Sequence, residues 1–264
     1  LLHEAAHAVR EQSATGKDRA ATGLRALSGE LSSLADGAQE PGMAADLGIQ
    51  LRKLEVRPEI TVGHSAGAAI AARMCLARRT APRLLIALNG AFMPFGGIAN
   101  HLFSPLANLL VLNPLVPRVF AWQASHAGAV ERLIANTGST IDQDGIALYR
   151  KLVRNPAHVA AALRMMANWK LEPLLHDLPR LTTALVLVAA TNDRSISPEV
   201  ARQVREILPS AVIERLPGLG HLAHEEQPQL ITELIMKYAH ANSAEQAAQK
   251  LYLRMYTFRL GRCQ

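Results

Sequence analysis

Cysteine is nearly absent from this 264-residue chain: Cys75 and Cys263 are the two present, too few for a disulfide framework or a CxxC metal site. A reducing compartment is the natural setting for such a chain. Aromatic residues make up 4% and charged residues 19% of the chain, so base-stacking platforms are scarce and no long solvated arm can be drawn. Lys and Arg total 28 against 22 Asp and Glu, a net charge of +6, but the basic residues run from Arg10 to Arg262 with no stripe. A spread of this kind makes a basic surface, not a phosphate-reading patch, and nucleic acid is excluded as the expected partner. The chain opens Leu1-Leu2-His3 without Met, which predicts a piece of a longer protein, and it shows no secretory leader. No charged residue lies between Leu84 and Pro117. Asn89, Gly96, Gly97, Asn100, His101, Pro105 and Pro114 interrupt that stretch, so it predicts a buried strand and an apolar loop, with no transmembrane segment.

What the chain does have is apolar bulk, 49% of its residues, enough for a packed core. Residues 5–40 stand apart, rich in Ala, Ser, Gly, Arg and Glu and without a strand-like run. Beyond Pro41-Gly42 the residues Met43, Leu47, Leu51 and Leu54 recur at helical spacing, and Val56-Arg57-Pro58 ends that helix. Glu59 to Val62 reads as a short strand, followed by a turn and the small-residue helix Ala68 to Cys75. Leu84 to Leu88 and Ala184 to Ala190 are fully apolar runs of strand length, as expected of a parallel sheet covered on both faces. Val212 to Leu216 is a fourth, less buried strand. The long stretch between the second and third is helical in pattern, with Asn155 as N-cap and Pro156 at the first position of a helix running towards Trp169.

Between the first strand and its helix stands Gly63-His64-Ser65-Ala66-Gly67, which satisfies G-x-S-x-G in the context that pattern requires. The glycines are expected to flank a turn too tight for larger side chains, with Ser65 exposed as nucleophile and the Ala66 amide as oxyanion donor. An acid and then a histidine should follow in chain order. Asp193 stands just past the end of the third strand, where open sheets place functional residues, and is the expected acid. As a simpler alternative it caps the turn before Ser197-Pro198. His221, in Leu216-Pro217-Gly218-Leu219-Gly220-His221, is the expected general base, with His224 as its competitor. The His64 side chain is expected to point away from that base. No metal or cofactor site is expected.

These segments make the chain resemble the α/β-hydrolases. More narrowly, it is similar to the magnesium chelatase accessory proteins of bacteriochlorophyll biosynthesis, through Gly63 to Ala69, Leu88 to Ala91, Phe103 to Ala107, Asn136 to Thr140, Met165 to Trp169 and Leu216 to Glu226. The likeness runs from about Pro41 to about Ile235. It implies an α/β-hydrolase core over 41–96 and 172–239 and a helical cap over 97–171. An atypical segment, 1–40, replaces the amino-terminal strands, and 240–264 is a carboxy-terminal extension. It also implies the triad Ser65, Asp193 and His221 and a role in magnesium-tetrapyrrole synthesis. The partners would be an apolar small molecule or tetrapyrrole and magnesium chelatase subunits, in the cytoplasm or at the periphery of a photosynthetic membrane. Two other readings use the same residues: a serine esterase or lipase-like carboxylic ester hydrolase, and a cofactor-free haloperoxidase-like hydrolase. Where the family's oxyanion loop begins with a His-Gly pair, this chain has His3-Glu4. A carboxylate there is expected to remove roughly 2–4 kcal/mol of transition-state stabilisation.

Overall fold

Four short runs of the chain become four strands: β1 (Ile60–His64), β2 (Leu84–Leu88), β3 (Ala184–Ala190) and β4 (Val212–Leu216). They form one sheet in the order β1-β2-β3-β4, every neighbouring pair parallel. This computed structural model describes residues 40–94, 118–119, 122, 126, 128–167 and 169–241. The expectations for residues 1–39, for His3-Glu4, for the first part of the 97–171 segment and for Cys263 lie outside the described residues.

Parallel neighbours require a crossover between each pair, and helices supply it. Helix α1 (Glu40–Lys53) precedes β1, and α2 (Ala66–Leu76) joins β1 to β2. Between β2 and β3 lie α3 (Ala129–Asn136), α4 (Gln143–Val153), α5 (Pro156–Ala167) and α6 (Glu172–Asp177). Helix α7 (Glu199–Ile207) links β3 to β4, and α8 (Ala223–Glu226) is followed by a helix over 228–241. As expected, Asn155 caps α5, its side-chain oxygen accepting from Ala157 N at 3.0 Å and His158 N at 3.4 Å.

Alternation along the strands explains why β2 and β3 read as unbroken apolar runs. Leu85, Ala87, Leu185, Leu187 and Ala189 face one side, against Ala68 and Ala72 of α2, Leu174 of α6 and Val204 of α7. Leu84, Ile86, Leu88, Val186, Val188 and Ala190 face the other, against Ala223, Ile231 and Leu234. Both faces are therefore covered, and each of these strand residues loses its apolar surface to the core.

Two expectations are corrected here. Strand β1 does not stop at Val62: Gly63 pairs with Ala87 and His64 with Leu88, so the ladder continues to the edge of the turn. Leu54, expected to be the last residue of the helical repeat, lies just past α1 and is 69% exposed, while within α1 Leu47 is 45% exposed and Ala44, with Met43 and Leu51 beside it, meets Ile70 and Met74 of α2.

Candidate active site

The turn after β1 holds the first candidate residue. Ser65 has φ 52° and ψ −121°, a strained region for a side chain-bearing residue, and it caps α2. Its backbone is held from both sides: its N–H donates to Leu88 O at 3.0 Å, and its carbonyl accepts from Ala68 N at 3.1 Å and Ala91 N at 3.0 Å. Gly63 is required, since a β-carbon there would lie 2.6 Å from Ala68 Cα. Gly67 is not, and this corrects the expectation of two crowded glycines: a β-carbon on it meets nothing within 4 Å among the described residues. Ala66 opens α2, so its amide belongs to the first turn, whose N–H groups have no partner inside the helix.

Past the end of β3, Asp193 is buried and divides its carboxylate between two tasks. Oδ1 accepts from Ser195 N at 2.7 Å and Ile196 N at 2.8 Å, the turn-capping role considered as its alternative. Oδ2 accepts from Nδ1 of His221 at 2.8 Å, a short contact of charge-assisted type. A carboxylate can only accept here, so Nδ1 carries the hydrogen and the neutral ring leaves Nε2 as its basic atom. His224 does not take this place: its Nε2 lies 3.6 Å from Glu225, and its buried Nδ1 has no partner among the described residues. Among the described residues the Ser65 hydroxyl makes no hydrogen bond, and Ser65 shares this end of the sheet with the pair.

His64 does not point away from the base. Its ring centroid is 4.6 Å from that of His221 and 4.4 Å from that of His224, and its Nε2–H donates to the His221 carbonyl at 2.9 Å. Strand alternation turns His64 to the side opposite Gly63, which is where the histidine loop descends. Burial, and then the neighbouring His224 and His221, push its pKa down to about 4, so it stands neutral at pH 7. Burial likewise lowers the pKa of His224.

One contributor escaped the sequence reading. Asn89, buried and at φ 47°, follows β2 directly. Its Oδ1 accepts from Ala190 N at 2.8 Å, and its Nδ2 donates to Gly220 O at 3.1 Å and to His221 O at 2.9 Å. The available signal was an asparagine placed after a fully apolar strand, since Asn tolerates positive φ better than most residues. Among the described residues, no group of three or more His, Cys, Asp or Glu side chains is set to hold a metal ion, and no helix is long and apolar enough to cross a membrane.

A parallel sheet with helices on both faces, a strained serine between β1 and α2, and a buried Asp–His pair at the same sheet end recur in one large family, and a match to the family model described as "Alpha/beta hydrolase family" covers residues 17–234. The chain belongs to the alpha/beta hydrolase family. A curated relative, the magnesium-chelatase 30 kDa subunit of Rhodobacter capsulatus, is 36% identical over 197 residues, covering 74% of this chain and 68% of that protein. The uncharacterized hydrolase YugF of Bacillus subtilis is 24% identical over 197 residues, covering 71% of this chain and 67% of its own. Among solved structures, an alpha/beta hydrolase fold protein from Burkholderia ambifaria superposes with a TM-score of 0.59 at 19% identity, covering 75% of this chain and 73% of that one. An esterase from Exiguobacterium antarcticum superposes with a TM-score of 0.60 at 16% identity, covering 77% and 75%. At these identities the structures speak for the alpha/beta hydrolase fold alone.

Proposed function

We propose that this alpha/beta hydrolase is an accessory protein of magnesium-tetrapyrrole synthesis, acting with magnesium chelatase and carrying a serine-hydrolase triad of Ser65, His221 and Asp193. The observation that carries the reading is the 36% identity, over 197 residues, to the magnesium-chelatase 30 kDa subunit. Its ligand would be an apolar tetrapyrrole or a chelatase subunit, met at the sheet end where Ser65 and His221 lie. The helical cap proposed over 97–171 would cover that end.

The chemistry open to such a site follows from its donors and acceptors. Nε2 of His221 would take the Ser65 proton as the hydroxyl attacks an acyl carbon, and would then return it to the leaving group. Asp193 would hold the tautomer and stabilise the imidazolium. The Ala66 amide would donate to the oxyanion. A second reading, a serine esterase or lipase-like hydrolase, is favoured by the 2.8 Å Asp193–His221 contact and by the strain at Ser65, both of which suit acyl transfer. One pair of assays separates the two. Saturable perturbation of the protoporphyrin absorption band, together with faster magnesium insertion when the chain is added to a chelatase preparation, is expected for the accessory reading. Turnover of p-nitrophenyl esters that Ser65→Ala abolishes, without either porphyrin effect, would replace it with the esterase reading.

A further inference from the structure

The turn between α3 and α4 has no part in the chemistry above, yet its backbone touches the loops of both acid and base. Thr137 closes the end of α3, its Oγ1–H donating to Ile134 O at 2.6 Å. The Thr137 carbonyl accepts from Arg194 N at 3.1 Å, the residue after the acid, and from His221 N at 3.3 Å, the base itself. Asn192 Nδ2 donates to Gly138 O at 2.6 Å. The buried Ser139 hydroxyl oxygen accepts from Leu222 N at 2.8 Å. Thr140 N and Gly220 N donate to the two oxygens of the Glu226 carboxylate, at 3.2 Å and 2.8 Å. Three consecutive residues, Thr137, Gly138 and Ser139, thus bond to both neighbours of Asp193, to His221 and to the residue after it.

Sterics make the contact specific. Gly138 has φ +83°, and a β-carbon on it would lie 1.9 Å from Asn192 O; a β-carbon on Gly220 would lie 2.3 Å from Gly138 C. The acid loop, the turn and the base loop therefore meet backbone against backbone, with no room for a side chain between them. Behind the turn, Val130 and Ile134 of α3 and Ile146 of α4 form one apolar cluster with Leu222, the residue next to the base. Tyr149 of α4 donates to Glu225 at 2.7 Å. Displacing α3 or α4 would have to drag the turn, and the turn would drag residues 220–222.

We infer that Thr137-Gly138-Ser139 is a positioning element, through which the seating of α3 and α4 sets the alignment of the Asp193–His221 pair. The inference rests on reading that pair as acid and base. In this role the three residues act through the base and its neighbours. An ordinary packing turn would affect stability and leave the pair unchanged.

The test uses the full chain and a readout that does not need turnover. A histidine Nδ1–H held by a buried carboxylate gives a far-downfield proton NMR line, and His221→Gln identifies it by its loss. In Ser139→Ala, which removes the acceptor of Leu222 N, that line is expected to broaden or vanish while Tm stays within a few degrees. Labelling of Ser65 by a fluorophosphonate should slow about tenfold or more. Ser139→Thr, which keeps the oxygen, should recover both. Gly138→Ala, which sets a β-carbon against the Asn192 carbonyl, should be more severe, and where it does not fold, Asn192→Ala loosens the same junction by removing the Nδ2 bond to Gly138 O. A line unchanged in position and width in both Ser139→Ala and Asn192→Ala overturns the inference, as does a parent chain with no line assignable to His221. A Ser139-sensitive line in a parent that is never labelled supports the positioning role and defeats the serine-nucleophile reading.

Discussion

The Nδ1–H of His221 donates to Oδ2 of Asp193 across 2.8 Å, between side chains that are 11% and 1% exposed. Burial at both ends excludes the water that would otherwise compete for either atom, so the contact fixes tautomer as well as orientation. Every other backbone and ring group of His221 except Nε2 is also held: its N–H by Thr137, its carbonyl by His64 and Asn89.

Asp193→Asn tests this arrangement with little disturbance of the loop. The amide oxygen can still accept from Ser195 N and Ile196 N, but an NH2 group would face Nδ1 and drive the hydrogen to Nε2. Fluorophosphonate labelling of Ser65 should fall by roughly 10⁴-fold, the scale seen when a buried triad acid elsewhere is made neutral. His221→Ala should abolish labelling and His224→Ala should largely spare it. The reverse ranking of the two histidines would move the base to position 224.

Much of this was legible in the sequence because apolar runs and turn residues mark strand ends. The limits of β2, β3 and β4 coincide with the runs Leu84 to Leu88, Ala184 to Ala190 and Val212 to Leu216. The end of β1 was not, since Gly63 and His64 carry no strand preference and join the ladder only through their register with Ala87 and Leu88. The direction of His64 and the tertiary contacts of Asn89 and of Thr137 to Ser139 depend on residues more than fifty positions away. No local period records such contacts. In α1 the spacing of Met43, Leu47 and Leu51 reports a helix and a face, and the neighbour, here the small-residue helix α2, decides which part of that face is buried.

Asn89→Ala should destabilise the fold by about 2–4 kcal/mol, because it leaves the buried Ala190 N–H without its acceptor and takes a donor from the carbonyls of Gly220 and His221. Chemical denaturation measures this directly. Loss below about 0.5 kcal/mol would mean that water replaces the side chain at all three positions.

The two glycines of the elbow should respond in opposite ways to the same change. Gly63→Ala forces a β-carbon to within 2.6 Å of backbone atoms of residues 67 and 68, and should cost about 3 kcal/mol or more or displace Ser65. Gly67→Ala meets open space on the first turn of α2 and should be neutral or stabilising by up to about 1 kcal/mol through helix propensity. Equal losses for both variants, measured by thermal and denaturant unfolding, would overturn this distinction between the two glycines.

His64 makes the stability of the fold depend on pH, and the sign follows from its depressed pKa. Burial, and the neighbouring His224 and His221, lower it from 6.5 to about 4 in the folded chain. Between those values the unfolded state binds the extra proton and the native state does not, so folding weakens as pH falls through that window and is unaffected by this group above it. The full span corresponds to a loss of about 3 kcal/mol by pH 4. Nε2–H donates to the His221 carbonyl in the neutral ring, so protonation would add a charge between two histidines without adding a useful bond. His64→Gln keeps an N–H able to reach that carbonyl and cannot titrate. Denaturant unfolding of the parent between pH 7 and pH 4 should show the decline, and His64→Gln should flatten it by about 2–3 kcal/mol. Parallel curves for the two chains would assign the acid sensitivity to His224 or to the carboxylates, and would mean that His64 is reached by solvent in the folded state.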